Sequence, residues 1–402
     1  MLRFRADFNT IQMMGVPVKP SVLVLSLGFA LLAGLHGCGK KEEAASGVTV
    51  IKIGQVSPLT GPQAHIGKDN DNAARLAVDE LNAAGLMIGG KPVKIELLSE
   101  DDQADPKTAT TVAQLLADKG VAGVIGHLNS GATIPASKVY LDNGIPQISP
   151  SATAVKYTAQ GFNTAFRVMT NDEQQGKVLG NYAVTKLGAK KIAIIDDRTA
   201  YGQGLADEVE KAAKAAGGEI VAREYTNDKA TDFMAILTSI KAKSPDLVFF
   251  GGMDPQGGPM AKQMKQLGLT AQFLGGDGIQ TPQFVKLAGA DAEGVLATTP
   301  GMPIENMPKG PEFKSKFNAK YGEIQLYAPY AYDAVYVMVD AMKRANSAEP
   351  AKYLPEIAKT DFQGVTSHIK FDAKGDLAGG AVTVYKLTNG AWVPVETIQS
   401  GN

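Results

Sequence analysis

The chain has 402 residues, 44% hydrophobic and 20% charged, and a formal net charge of -1. That length predicts two lobes with full cores, and the near-neutral balance lacks the basic stripe that nucleic acid requires. Its one cysteine excludes an intrachain disulfide, and its four histidines lack the spacing of a structural zinc site.

The first 47 residues read as an export segment. Arg3, Arg5 and Lys19 precede an apolar run from Val22 to Leu35. The run has the length of a signal-peptide core and is short for a membrane span. It ends in Leu35-His36-Gly37-Cys38, and a small residue before a cysteine at that place resembles a bacterial lipobox. On that reading residues 1–37 are the signal peptide, Cys38 is lipidated, and 38–47 form a polar tether. A cleavable signal with a chance cysteine, or a retained anchor, has the same composition. Asp7 sits within the charged leader, and a start at Met13 or Met14 gives a more ordinary one.

From Val48 onward strand and helix signals alternate. Val48 to Val56 alternates apolar and polar residues and predicts a strand. Helical spacing follows over Gly67 to Ala84, with Gly85 as a stop. Then come a strand at Val93 to Leu98, a helix at Pro106 to Lys119, a strand at Val121 to Gly126, a helix at Ala132 to Asp142 and a strand at Pro146 to Ser149. A second series begins with a helix at Asp172 to Leu187. It continues with strands at Lys191 to Ile195, Glu219 to Tyr225 and Leu247 to Gly251, and helices at Gly202 to Ala215, Asp232 to Ala242 and Gln256 to Leu267. Helices are predicted at Pro311 to Tyr321, Pro329 to Ala345 and Pro350 to Ala358. Strands near His368 to Phe371, Gly380 to Leu387 and Trp392 to Ile398 close the chain. Strands alternating with helices imply parallel sheets covered on both faces. Two such series predict an α/β protein of two doubly wound lobes, with the last third crossing back to complete both.

In doubly wound sheets ligands bind beyond the carboxyl ends of the strands. The loops at those ends are therefore the candidates. Ser57 to Pro62 is a hydroxyl-bearing turn, and Ile66 just after it offers an apolar face. Gly126 to Thr133 runs into a helix whose first N–H groups lack intrahelical partners and favour an anion. Ser130 adds a hydroxyl there, and Gly131 lets a ligand approach the backbone. Ser149 to Ala154 offers exposed carbonyls and hydroxyls, with Ser151 and Thr153 among them. In the second series Asp196 to Gly204 carries Tyr201 as an aromatic wall, with Arg198 as a solvated ion-pair partner for its aspartates. Its Gly-x-Gly lacks the third glycine of a dinucleotide fingerprint. Met253, in Gly251 to Pro255, is an adaptable apolar surface. Asp277 stands among Gly275, Gly276 and Gly278, where it could receive an ammonium group. Each loop taken alone also reads as an ordinary turn. Taken together they describe a zwitterion site: N–H and hydroxyl donors on one lobe, an acid with aromatic and apolar walls on the other.

Gly-His-Leu-Asn-Ser at 126–130, Ser-Ala-Thr-Ala at 151–154, Tyr-Gly-Gln-Gly-Leu-Ala at 201–206, Ala-Tyr-Asp-Ala at 331–334 and Phe-Asp-Ala-Lys-Gly-Asp at 371–376 resemble the leucine/isoleucine/valine-binding proteins of bacterial ABC importers. The resemblance implies a type I periplasmic-binding fold with a hinge of several crossovers. Its lobes would be 48–171 plus about 301–379, and about 172–300 plus 380–402. It implies no catalysis and no cofactor, a periplasmic location, and ABC permease subunits in the inner membrane as partners. By position, Ser130 and Thr153 would hold the carboxylate with Ser151 contributing backbone, and Asp277 the α-ammonium. Tyr201 would be a contact of the second lobe and Tyr327 a pocket wall. Ala104 and Asn129 stand where the best-known members of the family carry a disulfide. Ile66 and Met253 replace aromatics, so side-chain preference stays open. The same fold binding an amide, a urea or an aromatic acid is the alternative, and an enzyme or a protein-binding scaffold the more distant ones.

Overall fold

The computed structural model describes residues 47–399, so the expected signal segment and Cys38 lie outside the described residues. The first series comprises strands Thr49–Ser57 (β1), Met87–Ile88 (β2), Lys91–Asp101 (β3), Gly123–Gly126 (β4), Gln147–Ser149 (β5) and Ala165–Arg167 (β6). Its helices are Ala64–Ala83 (α1), Pro106–Asp118 (α2), Ser130–Asp142 (α3) and Lys156–Ala159 (α4). The strands form one sheet in the order β2-β3-β1-β4-β5-β6, parallel except for β2 against β3. β4 and β5 are buried along their whole length, as strands covered on both faces must be.

The second series comprises Asp172–Thr185 (α5), Lys191–Asp196 (β7), Ala200–Ala215 (α6), Glu219–Tyr225 (β8), Met234–Lys241 (α7), Leu247–Gly251 (β9), Asp254–Gln266 (α8), Gln272–Gly275 (β10), Pro282–Ala288 (α9) and Leu296–Pro300 (β11). The chain continues through Gly310–Tyr321 (α10), Ala328–Arg344 (α11), Pro350–Ile357 (α12), Asp361–Gln363 (β12), His368–Lys370 (β13), Ala381–Thr388 (β14) and Ala391–Gln399 (β15). The second sheet runs β15-β14-β11-β10-β9-β7-β8, with β14 and β15 antiparallel at one edge. α11 returns to the first sheet, packing on α1 and against β4 and β5. The chain therefore passes between the sheets at 168–171, at 301–309 and at 378–380.

Both sheets repeat one order: the first strand of the series lies between the second long strand and the third, β3-β1-β4 in one and β8-β7-β9 in the other. The strand order reverses there, so the loops after β1, β4, β7 and β9 open toward a crevice. Local chemistry sets the helix starts. Asp105 accepts from Thr108 N at 2.7 Å, Asn171 from Gln174 N at 3.2 Å, Thr199 from Gly202 N at 3.0 Å and Thr281 from Phe284 N at 2.9 Å.

Several elements depart from the sequence reading. α1 begins at Ala64, ahead of Gly67, because that glycine serves a close approach inside the helix. A Cβ there would meet the Pro58 carbonyl oxygen at 1.9 Å. β6 and β11 escaped prediction: one is three residues long, and the other reads Leu-Ala-Thr-Thr-Pro. Their strand character comes from pairing with β5 and β14 rather than from local pattern.

Candidate functional site

On the first lobe the loops after β4 and β5 are tied to each other. Ser130, the first residue of α3, accepts from Ala154 N at 3.1 Å, and the Ser151 hydroxyl donates to the Leu128 carbonyl at 3.1 Å. Ser149 donates to the His127 carbonyl at 2.9 Å and accepts from Ala152 N at 2.9 Å. The sequence predicts exposed carbonyls and hydroxyls over this stretch. The structure buries Ser149, Ser151 and Thr153, because Arg167 lies beneath them. The fully buried Arg167 guanidinium donates to the Ala152 and Ala154 carbonyls at 2.7 and 2.9 Å, and to Asp376 at 2.5 Å. Asp376 also accepts from Thr158 at 2.9 Å, which gives the Phe-Asp-Ala-Lys-Gly-Asp motif a structural role. The N–H groups of Ser130 and Gly131, at the start of α3, have no intrahelical acceptor.

On the second lobe Asp277 is fully buried at the end of β10. Its Oδ1 accepts from Gln175 Nε2 at 2.8 Å and from the Tyr201 hydroxyl at 2.8 Å. Its Oδ2 accepts from the Tyr327 hydroxyl at 2.6 Å, across from the first lobe. The flanking glycines are required by contact: a Cβ on Gly276 would meet the Tyr201 hydroxyl at 2.6 Å, and one on Gly278 the Met253 sulfur at 2.8 Å. Burial pushes the Asp277 carboxyl above the usual carboxylate range, against the pull of the Tyr327 and Tyr201 hydroxyls. Ile66, Tyr201, Met253 and Tyr327 belong to one continuous buried apolar cluster.

Between these halves lie oxygens with no donor. The Thr153 hydroxyl, both carboxyl oxygens of Asp172 and Gln175 Oε1 are buried without a hydrogen-bond partner. Asp172 N donates to the Thr153 carbonyl at 2.8 Å, so these groups share one place. Burial first, and the charge of Asp277 second, drive the Asp172 carboxyl well above its ordinary value; the nearby Thr153 hydroxyl draws it down without hydrogen-bond geometry. Two buried acids beside unpartnered oxygens are chemically able to accept from a group bearing several N–H donors.

A family model described as periplasmic binding protein matches residues 50–391. The chain belongs to the periplasmic binding protein family. Among its relatives is Leu/Ile/Val-binding protein homolog 1 of Brucella suis biovar 1, 40% identical over 344 residues, which are 85% of this chain and 91% of that one. The leucine-, isoleucine-, valine-, threonine-, and alanine-binding protein of Pseudomonas aeruginosa is 35% identical over 92% of this chain and 97% of its own length. The branched-chain amino acid transporter substrate binding protein of Streptococcus pneumoniae, solved in complex with isoleucine, superposes with a TM-score of 0.79 at 32% identity. That match covers 87% of this chain and all of that one. The type I periplasmic-binding fold expected from the sequence is the fold of this chain.

Within this periplasmic binding protein, other bonds join the loops where the resemblance placed a missing disulfide. The Asp102 carboxylate takes His127 Nδ1 at 2.8 Å, and His127 Nε2 meets the Tyr140 hydroxyl at 2.9 Å, all fully buried. Asn129 instead donates to Gln63 at 2.7 Å, and Ala104 N donates to Asp102 at 3.0 Å. Arg198, expected among the aspartates, lies 4.0 Å from Asp196 and stacks on the Tyr225 ring at 3.6 Å; Arg223 is the closer partner of Asp196. The sequence reading missed Asp172, Gln175 and Arg167. Asp172 and Gln175 look like ordinary first-turn residues of α5, and Arg167 sits in a strand too short to be seen. Only the rule that a helix start beside a crossover faces the crevice could have singled out α5.

Proposed function

We propose that this protein is the substrate-binding component of an ABC importer, and that it holds a branched-chain or similar apolar amino acid between its lobes. The observation that carries the reading is the set of buried, unpartnered oxygens of Thr153 and Asp172 beside Asp277. They match an α-ammonium, so the Thr153 hydroxyl, expected on the carboxylate side, is reassigned to the ammonium side; the N–H groups at the start of α3 and the Ser130 hydroxyl match a carboxylate. Ser151 supplies backbone to that side. Ile66, Met253, Tyr201 and Tyr327 supply the apolar walls. The names of the relatives, a Leu/Ile/Val-binding protein homolog and a leucine-, isoleucine-, valine-, threonine-, and alanine-binding protein, support this ligand class.

The mechanism is closure without chemistry. The amino acid docks on the first lobe, 48–171 plus 301–379, through Ser130 and Thr153. The second lobe, 172–300 plus 380–402, then swings Asp277 and Tyr201 over it about the three crossovers. The membrane permease recognises the closed form, and ATP is hydrolysed on other subunits. The protein works in the periplasm, with Cys38 as its lipid attachment point. Micromolar affinity requires about 8 kcal/mol, within reach of charge-assisted bonds at both ends of a buried aliphatic ligand.

The test is thermal stability of protein unfolded and refolded to strip bound ligand, measured against each common amino acid. A specific ligand at 100 times its dissociation constant adds about 2.7 kcal/mol. A shift confined to leucine, isoleucine, valine and close analogues is the expected result. Silence across the panel contradicts it and favours an amide, a urea or an aromatic acid.

A further inference from the structure

A side-chain pair crosses the cleft outside the ammonium site. His65, in the first turn of α1 on the first lobe, donates from Nε2 to Asp254 Oδ2 at 2.7 Å. Asp254 is the first residue of α8 on the second lobe. The histidine side chain is 20% exposed and the aspartate fully buried, so the histidine reaches in from the cleft rim. The same Oδ2 accepts from the Thr281 hydroxyl at 2.5 Å, while Oδ1 is buried without a partner. Each member of the pair is the chain neighbour of a proposed pocket wall: His65 precedes Ile66, and Asp254 follows Met253.

We infer that His65 and Asp254 form an interlobe latch that makes closure affordable for the second lobe and seats the apolar end of the pocket; the inference rests on the hinge-closure reading above. Its physics is the desolvation of Asp254. When the lobes part, the carboxylate faces the water of the cleft. When they meet, it loses that water, and its partners within the second lobe are the Thr281 hydroxyl and the start of α8. A buried carboxylate so poorly matched opposes closure unless a donor arrives from the other lobe, and His65 brings one. His65 is thus a positioning residue: it acts through Asp254 and draws Ile66 and Met253 together.

The latch has a signature that a packing role would not share. Removing one member of a buried hydrogen-bonded pair leaves the other unsatisfied and is costly, whereas removing both is often close to neutral. His65→Ala strands the carboxylate and is expected to weaken L-leucine binding about 30-fold, while the double variant His65→Ala/Asp254→Asn returns to within about threefold of the parent. The measurement is calorimetric affinity for L-leucine on the parent, both single variants and the double. A double variant as weak as His65→Ala, or weaker, overturns the latch, as does a His65→Ala protein that binds like the parent. The radius of gyration of the ligand-free proteins in solution gives a second reading. The latch predicts a more expanded His65→Ala protein, with the double variant returning toward the parent. Failure of the parent itself to bind leucine counts against the proposed ligand. In that case the scattering comparison judges the latch, and equal radii for parent and His65→Ala overturn it.

Discussion

The two lobes meet the ligand with opposite kinds of polar group. On the first, the loops that frame the site are tied down inside the lobe: Ser130 holds Ala154 N, Ser151 holds the Leu128 carbonyl, and Arg167 holds the 152–154 loop from below, which leaves the Thr153 hydroxyl without a partner. On the second, Asp277 is satisfied partly from the other lobe by Tyr327, and Asp172 at the crossover is not satisfied at all. The first lobe is a preformed receptor whose bonds belong to folding. The second carries buried Asp277, held by Gln175 and Tyr201 of its own lobe, and Asp172, whose carboxyl oxygens lack a donor. Stability and affinity should therefore respond to different residues.

The largest effect is expected in the first lobe. Arg167→Ala leaves Asp376 without its buried partner and frees the 152–154 carbonyls, and should cost about 3–5 kcal/mol of ligand-free stability in denaturant titration. A loss under about 1 kcal/mol would mean that the loop does not depend on it. Next comes Asp277→Ala. It should lower leucine affinity by more than about 100-fold, near 3 kcal/mol, with a smaller loss of ligand-free stability from the Gln175 and Tyr201 donors left without their acceptor. A drop of less than tenfold removes Asp277 from the ammonium role.

The pH dependence follows from the same acid. In the ligand-free site burial holds the Asp277 carboxyl above the usual range, and a bound ammonium would pull it down. Affinity is then full above the ligand-free value and declines as pH falls through it, and binding releases protons in that window. Calorimetry between neutral pH and the ordinary carboxylate range, in buffers of different ionisation enthalpy, should show both. A flat profile contradicts the assignment. The smallest effect belongs to Ser130→Ala, which removes the acceptor of Ala154 N and should cost about 1 kcal/mol of stability together with a modest loss of affinity. An affinity loss with unchanged stability would blur the contrast between the lobes.

Much of this site was legible in the sequence because it lies where strands end. The Ser130 helix start and Tyr201 after β7 are visible from strand-to-loop transitions, and Asp277 from its flanking glycines, once the loops are taken together. The repeated strand–helix alternation carried the fold class in the same way. What was hidden is set by partners distant in sequence. Arg167 and Asp376 are 209 residues apart, Gln175 and Asp277 102, and His65 and Asp254 189. No local pattern marks such pairs. The short strands β6 and β11 were hidden for a related reason, since their neighbours rather than their own residues make them strands.

The most direct test of the account compares leucine with isocaproate, the same molecule without its amine, by calorimetry on the parent protein. The buried acids predict that isocaproate binds more than about 100-fold more weakly, since both carboxyls would close on an apolar carbon. Equal affinity for the two would contradict the ammonium site and would mark the cleft as one built for a simple acid.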